Sequence, residues 1–256
     1  MKDKPYILVT NDDGVDAPGI IALAEEMKKL GEIIVVAPDR QQSAVGHSLT
    51  MSTPLRATRF SRNGNIPGFA INGTPSDCVK LAISNLLERP PDLLVSGVNH
   101  GQNTSINVIY SGTVSAATEG MLVGIPSIAV SLASYSYESD CSVAAEYAGK
   151  LAKYLLENKL PEGTLINVNV PDLQKDMIKG IKITKPSRSV WRDSYIKRTD
   201  PFGRDYYWFA GEYRADSQDP ETDDYALAQG YVSVMPLRFS FINDEFIEEM
   251  KSLEDN

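Results

Sequence analysis

"PYILVTNDDGVDAPGIIALAEEMKKLGEIIVVAP", residues 5–38, decides the fold. Tyr6 to Val9 is an apolar run without polar alternation, the pattern of a strand buried on both faces. After a polar break, apolar residues recur at Ile20, Ile21, Leu23, Ala24, Met27 and Leu30, a helical stripe closed by Gly31. Glu32 to Pro38 is a second apolar strand. Strand, helix and strand in that order make a βαβ unit, whose strands run parallel and whose crossover is right-handed.

The alternation continues outward. Residues 48–72 read as short β segments with a turn near "SRNGN" (61–65). "TPSDCVKLAISNLL" (74–87) reads as a helix, with Thr74 or Ser76 placed to cap it and Pro75 suited to its first turn. "PDLLVSGV" (91–98), "SIAVSL" (127–132) and "TLINVNV" (164–170) read as strands. "SGTVSAATEGMLVG" (111–124) and "CSVAAEYAGKLAKYLLEN" (141–158) read as helices. The fold expected is α/β: a Rossmann-like, doubly wound, mostly parallel sheet covered on both faces.

After about residue 175 the texture changes, which suggests a catalytic core at 1–175 and a C-terminal part at 176–256. In the latter, "DPFGRD" (200–205) is a turn between two β-like arms, Tyr195–Thr199 and Tyr206–Ala210. The projecting hairpin is either a solvated surface feature or a dimerisation arm, and its Tyr, Trp, Phe and Arg content favours an interface. "TDDYALAQG" (222–230) gives a short helix, "YVSVMPL" (231–237) a last strand, and "DEFIEEMKSLEDN" (244–256) an acidic tail with a short helix.

Composition bounds the function. A net charge of −9 argues against sequence-independent grip on a nucleic-acid polymer, which needs clustered Lys and Arg. It leaves room for a small anion drawn in by a metal or a helix N-terminus. The apolar runs are too short to span a bilayer, and Met1 to Pro5 lead into the first strand without a signal-peptide stretch. Cys78 and Cys141 lie in apparent helices and read as reduced core thiols, so a cytoplasmic protein is expected.

In an open α/β sheet, ligands bind beyond the carboxyl ends of the strands. Three such ends carry chemistry here: Asp12-Asp13, the stretch Asp39 to Ser43, and Asn99-His100-Gly101. Adjacent carboxylates repel, and a cation, a shared proton or solvent must offset that; a plain turn also accommodates Asp and Gly. Carboxylates, a hydroxyl and an amide oxygen on one rim suit Mg²⁺, Mn²⁺ or Ca²⁺ better than Zn²⁺. His47 and His100 are the chain's two histidines, with no zinc spacing, and each reads better as a hydrogen-bonding residue than as a ligand. Ser111-Gly112-Thr113, at the start of a small-residue helix, is an anion site in prospect or an ordinary N-cap.

"ILVTNDDGVDAPGI", "VVAPDRQQSAVGHSLT", "INGTPSDCVKLA" and "SGVNHGQNTSINVIYSGTVSAATEG" together resemble the SurE family of 5'/3'-nucleotidases, as do the later "RTDPFGRDYYW" and "TDDYALAQGYVSVMPL". The resemblance runs from about Tyr6 to Leu237. It implies a divalent-metal-dependent phosphatase of nucleoside monophosphates, in some members extending to short polyphosphate. It implies one Mg²⁺ or Mn²⁺ per subunit, held by Asp12, Asp13, Ser43 and Asn99, and phosphate contacts from Asn103, Ser111, Gly112 and Thr113. One of Asp12 and Asp13 would act as general base or nucleophile. The hairpin would be exchanged between subunits of a homodimer or homotetramer. Many relatives have Gly where this chain has Ala44, and Gly and Asp where it has Ser105 and Asn107. The rival readings are an aspartyl-phosphate phosphatase, whose Asp-x-Asp spacing is missing here, a receiver-like phosphoacceptor, and a nucleotide-binding module without turnover.

Overall fold

Both faces of the first strand, β1 (Tyr6–Thr10), are covered, which is why its sequence does not alternate. Ile7 and Val9 face one core with α1 (Pro18–Met27) and α5 (Ser142–Glu157). Leu8 faces the other, with α2 (Pro75–Leu81) and α4 (Gly112–Leu122). The computed structural model describes residues 4–62, 65–216, 218–239 and 243–254. Asn63 and Gly64, at the expected "SRNGN" turn, lie outside the described residues, as do Met1 to Asp3 and the last two residues of the tail.

Nine strands form one sheet. Its centre is parallel: β4 (Ile66–Ile71), β2 (Glu32–Pro38), β1, β5 (Leu93–His100), β6 (Ser127–Ala133) and β7 (Thr164–Pro171), in that spatial order. At one edge β3 (Ala57–Arg62) runs antiparallel to β4. At the other, β8 (Ile181–Ile183) lies beside β13 (Val232–Arg238), which runs antiparallel to β7 with Ser233 opposite Asn169. The C-terminal part therefore adds two strands to the main sheet.

The rest of that part forms a two-tier antiparallel arm. β9 (Val190–Arg192) pairs with β12 (Glu212–Arg214), and farther out β10 (Tyr195–Thr199) pairs with β11 (Asp205–Phe209). The outer tier matches the expected hairpin; the inner tier has no local sequence signal. α6 (Asp223–Ala228) and α7 (Asp244–Met250) fall where short helices are expected.

Helix ends differ in detail. Thr74, not Ser76, caps α2: its hydroxyl accepts from Asp77 N at 3.1 Å, and the Asp77 carboxylate accepts from Thr74 N at 2.9 Å. The α2 segment continues past Leu81 as a wider helical turn, Ala82–Leu86. Cys141 stands at the N-cap of α5, one residue outside the helix. Among the described residues, no helix is long and apolar enough to cross a membrane.

Candidate active site at the switch point

From β1 the chain builds outward in two directions, through β2 and β4 on one side and through β5, β6 and β7 on the other. A crevice opens where that order reverses, beyond the carboxyl ends of β1 and β5. β1 delivers Asp12 and Asp13 there. Asn11 closes the turn, accepting from Gly14 N at 3.1 Å and donating through Nδ2 to Gly14 O at 2.9 Å.

The two carboxylates have different surroundings. Asp12 is 4 % exposed, and its Oδ1 accepts from the Thr113 hydroxyl at 2.5 Å. The N-terminus of α4 is pressed against it: a Cβ on Gly112 would lie 2.8 Å from Asp12 Cβ, so only glycine fits. Burial, and then the neighbouring Asp13 charge, push the Asp12 carboxyl up to about 7, against the pull of Thr113. Asp13 Oδ2 accepts from His100 N at 3.2 Å and lies 3.4 Å from His100 Nδ1. Its Oδ1 accepts from Tyr137 OH at 3.3 Å and Gln41 Nε2 at 3.4 Å.

The other rim residues follow. Gln42 N donates to Asp12 O at 2.7 Å, which ties the 39–43 loop to β1, and Gln41 Nε2 donates to Ser43 Oγ at 2.8 Å. Asn99 uses its amide N–H on Gly101 O at 2.6 Å, so the group it has left to offer is Oδ1. Asn103 is clamped from β7: its N donates to Asn169 Oδ1 at 2.7 Å, and its O accepts from the Asn167 and Asn169 amides at 2.9 and 3.2 Å. Its Nδ2 donates to Ser131 Oγ at 2.8 Å. Ser111 caps α4, accepting from Val114 N at 3.1 Å.

Asp12, Ser43, Asn99, Asn103 and Ser111 line one cleft of about 610 Å³. Gly112 and Thr113 stand behind Asp12 in contact with it, and Asp13 is joined to the cleft wall through His100. All eight residues singled out in the sequence are thus brought to this rim. Three features escape the sequence: His100 as the partner of Asp13, the Asn167/Asn169 clamp, and Trp191 and Phe209 of the arm in the cleft wall. Only the clamp has a local signal, two amides alternating in the otherwise apolar "TLINVNV".

The donor set fits a hard cation. A fully buried carboxylate sits beside a second one, and no Lys or Arg is among the described residues lining the cleft. Among the described residues no cluster of three or more His, Cys, Asp or Glu is built to hold a metal. The oxygens beyond the two carboxylates are neutral ones, the mixture Mg²⁺ and Mn²⁺ accept.

Of the three departures from the family pattern, Ala44, Ser105 and Asn107, the first two have left-handed backbone, φ 57° and 49°. Glycine, which the resemblance leads one to expect at both positions, suits that conformation, which costs an L-residue about 1 kcal/mol. Ser105 has compensation: its N donates to Asp223 at 2.8 Å, and its Oγ bonds the carbonyls of Ser187 and Ser189 at 2.8 and 2.9 Å.

Comparison with known proteins converges on one family. The family model described as "Survival protein SurE" matches residues 7–193. The "5'-nucleotidase SurE" of Christiangramia forsetii is 46% identical over 253 residues, covering 98% of this chain and 97% of the relative. The protein of the same name from Moorella thermoacetica is 47% identical, covering 95% and 94%. The crystal structure of the SurE protein from Aquifex aeolicus superposes with a TM-score of 0.84 at 41% identity, covering 98% of this chain and all of that one. With both the fold and the full length matched at this identity, the chain belongs to the survival protein SurE family.

Proposed function

We infer that the chain is a metal-dependent 5'-nucleotidase, releasing phosphate from nucleoside 5'-monophosphates. The observation that carries this reading is the contact between a buried carboxylate, Asp12, in a cleft that no Lys or Arg lines among the described residues, and the capped N-terminus of α4. One offers a metal position and the other an anion position, side by side.

Asp12, Asp13, Ser43 and Asn99 are the proposed donors to one Mg²⁺ or Mn²⁺ per subunit. When bound, the cation supplies Lewis-acid polarisation of the phosphoryl group. The α4 N–H groups, with Asn103, Ser111, Gly112 and Thr113, hold the equatorial oxygens, where phosphoryl transfer gathers charge. Asp12 is the one of the two carboxylates that lines the cleft, so it is the one placed to take the proton of the attacking water. A polyphosphate chain needs several cationic side chains along its track, and among the described residues no Lys or Arg lines the cleft, which favours a monoester. The buried, free thiols of Cys78 and Cys141 support a cytoplasmic location.

The test is phosphate release from a panel of nucleoside monophosphates and from polyphosphate, first with EDTA and then with each metal restored. Release from monophosphates only after metal addition is expected. No release under any condition overturns the reading, and binding without release leaves a nucleotide-binding module.

The outer hairpin exposes Tyr195, Ile196, Phe202, Tyr206, Tyr207 and Trp208, more aromatic surface than an isolated arm sustains in water. Exchange of this outer hairpin between subunits, with the inner tier that carries Trp191 left in place, accounts for it. Light scattering is expected to give a multiple of the 28.1 kDa chain mass, and a monomer at micromolar concentration rules exchange out.

A further inference from the structure

The cleft is larger and more apolar than phosphate chemistry requires. One part of its lining is polar and includes Asp12, Asn103 and Ser111; Ile106, Tyr110, Tyr135, Val190, Trp191 and Phe209 also line it, along with Gln102, Asn107 and Asp193. Phosphate and ribose have no use for such a wall, whereas a flat heteroaromatic ring does.

The four aromatic side chains are not equally held. Tyr110 and Tyr135 are largely exposed, as is Phe209. Trp191 is 36 % exposed and is fixed at its edge: Nε1 donates to Asn107 Oδ1 at 2.6 Å, a bond from β9 of the arm to the α3 turn (Asn107–Tyr110) of the core. Behind it the Tyr213 ring lies 5.6 Å away at 52°, and Tyr213 is itself pinned, donating to Asp224 at 2.7 Å. Phe209 lies 6.4 Å from the indole at 50°. A ring fixed at its edge and backed by another needs little ordering when a ligand stacks on it.

We propose that Trp191, fixed by Asn107, is the platform on which the nucleobase stacks, so that this residue selects substrates that carry a base. The proposal rests on the nucleotidase reading. Every base has a π-face, so one platform accepts all of them. The enzyme then tolerates many bases but discriminates against base-free sugar phosphates. Asn107 is the chain's own device here: its amide oxygen is a neutral acceptor that takes the indole N–H.

The experiment uses the full chain with metal. Phosphate release is followed for a purine nucleoside 5'-monophosphate and for ribose 5-phosphate. Trp191→Ala is expected to raise KM for the nucleotide about tenfold with kcat within twofold, and to leave ribose 5-phosphate unchanged. Trp191→Phe, which keeps a ring, is expected to recover most of the loss. Equal effects on both substrates, or none on either, overturn the proposal. A second readout needs no turnover: in a Trp208→Phe background Trp191 is the sole indole, and adenosine is expected to quench it. Absence of quenching overturns the platform. Quenching in a wild-type protein that releases phosphate from neither substrate upholds the platform and removes the nucleotidase reading instead.

Discussion

Asp12→Asn is expected to cut phosphate release about a thousandfold, the scale on which a group acting directly on charge in the transition state is felt. The fold should survive, because an Asn Oδ1 still accepts the Thr113 hydroxyl bond that Asp12 takes at 2.5 Å. Stability supplies a second readout. Burial and Asp13 raise the Asp12 carboxyl from 3.8 to about 7 in the metal-free protein. A group whose folded pKa is raised favours the native state fully below its unfolded value, and that favour is lost as pH rises through the folded value. Metal-free wild-type protein should therefore lose stability between pH 4 and 8, by on the order of 4 kcal/mol from this group. The asparagine variant titrates no proton there, so in EDTA it should be the more stable protein at pH 8 and show no advantage at pH 4. Adding Mn²⁺ should raise the melting temperature of the wild type more than that of the variant, since binding to the native state stabilises it. Thermal melts at both pH values, with and without metal, check all of this. Metal-dependent turnover retained by the variant sinks the assignment of Asp12.

What was legible in the sequence was whatever local pattern controls. β1, α1, β2, β5, β6, α5 and β7 are each written as an apolar run or a helical stripe. Once those strands are parallel, the loops after β1, β2 and β5 must share a rim, so the convergence of Asp12, Ser43 and Asn99 on one cleft follows from direction alone. The antiparallel direction of β13 was not legible, because a strand's pattern says which faces are buried and nothing about which way its neighbour runs.

The remainder of the site depends on partners far apart in the chain. Asp13 meets a His100 that is 87 residues away, and Asn103 meets an Asn169 that is 66 away. Trp191 reaches Asn107 across 84 residues. No window of periodicity contains both members of such a pair. Glycine positions are an intermediate case: the resemblance marked Ala44 and Ser105 as departures, and the backbone explains why glycine belongs there. It does so through φ values that only the folded loop imposes.

Gly19→Ala is expected to be the most disruptive small substitution in the opening βαβ unit, and the two forces on it have opposite signs. Intrinsic helix propensity favours alanine over glycine inside α1 by about 1 kcal/mol. Packing opposes it: a Cβ on Gly19 would stand 2.0 Å from Val98 O and 3.0 Å from Val98 C. Those are backbone atoms of β5, which no rotamer change can remove, so the helix or the strand must shift. Forced overpacking of this kind costs about 1–3 kcal/mol, more when backbone cannot yield. A net loss of about 2 kcal/mol is therefore expected, the top of that range less the propensity gain, seen as a lower denaturation midpoint with an unchanged slope. The displacement also reaches the site, because Val98 immediately precedes Asn99, the cleft-lining amide proposed as a metal donor. Mn²⁺ affinity, measured by titration under conditions where the variant is fully folded, should fall with stability. A variant as stable as wild type would mean that α1 and β5 are less closely packed than the Gly19–Val98 contact requires. A destabilised variant with undiminished Mn²⁺ affinity would remove Asn99 from the metal set while leaving the packing argument intact.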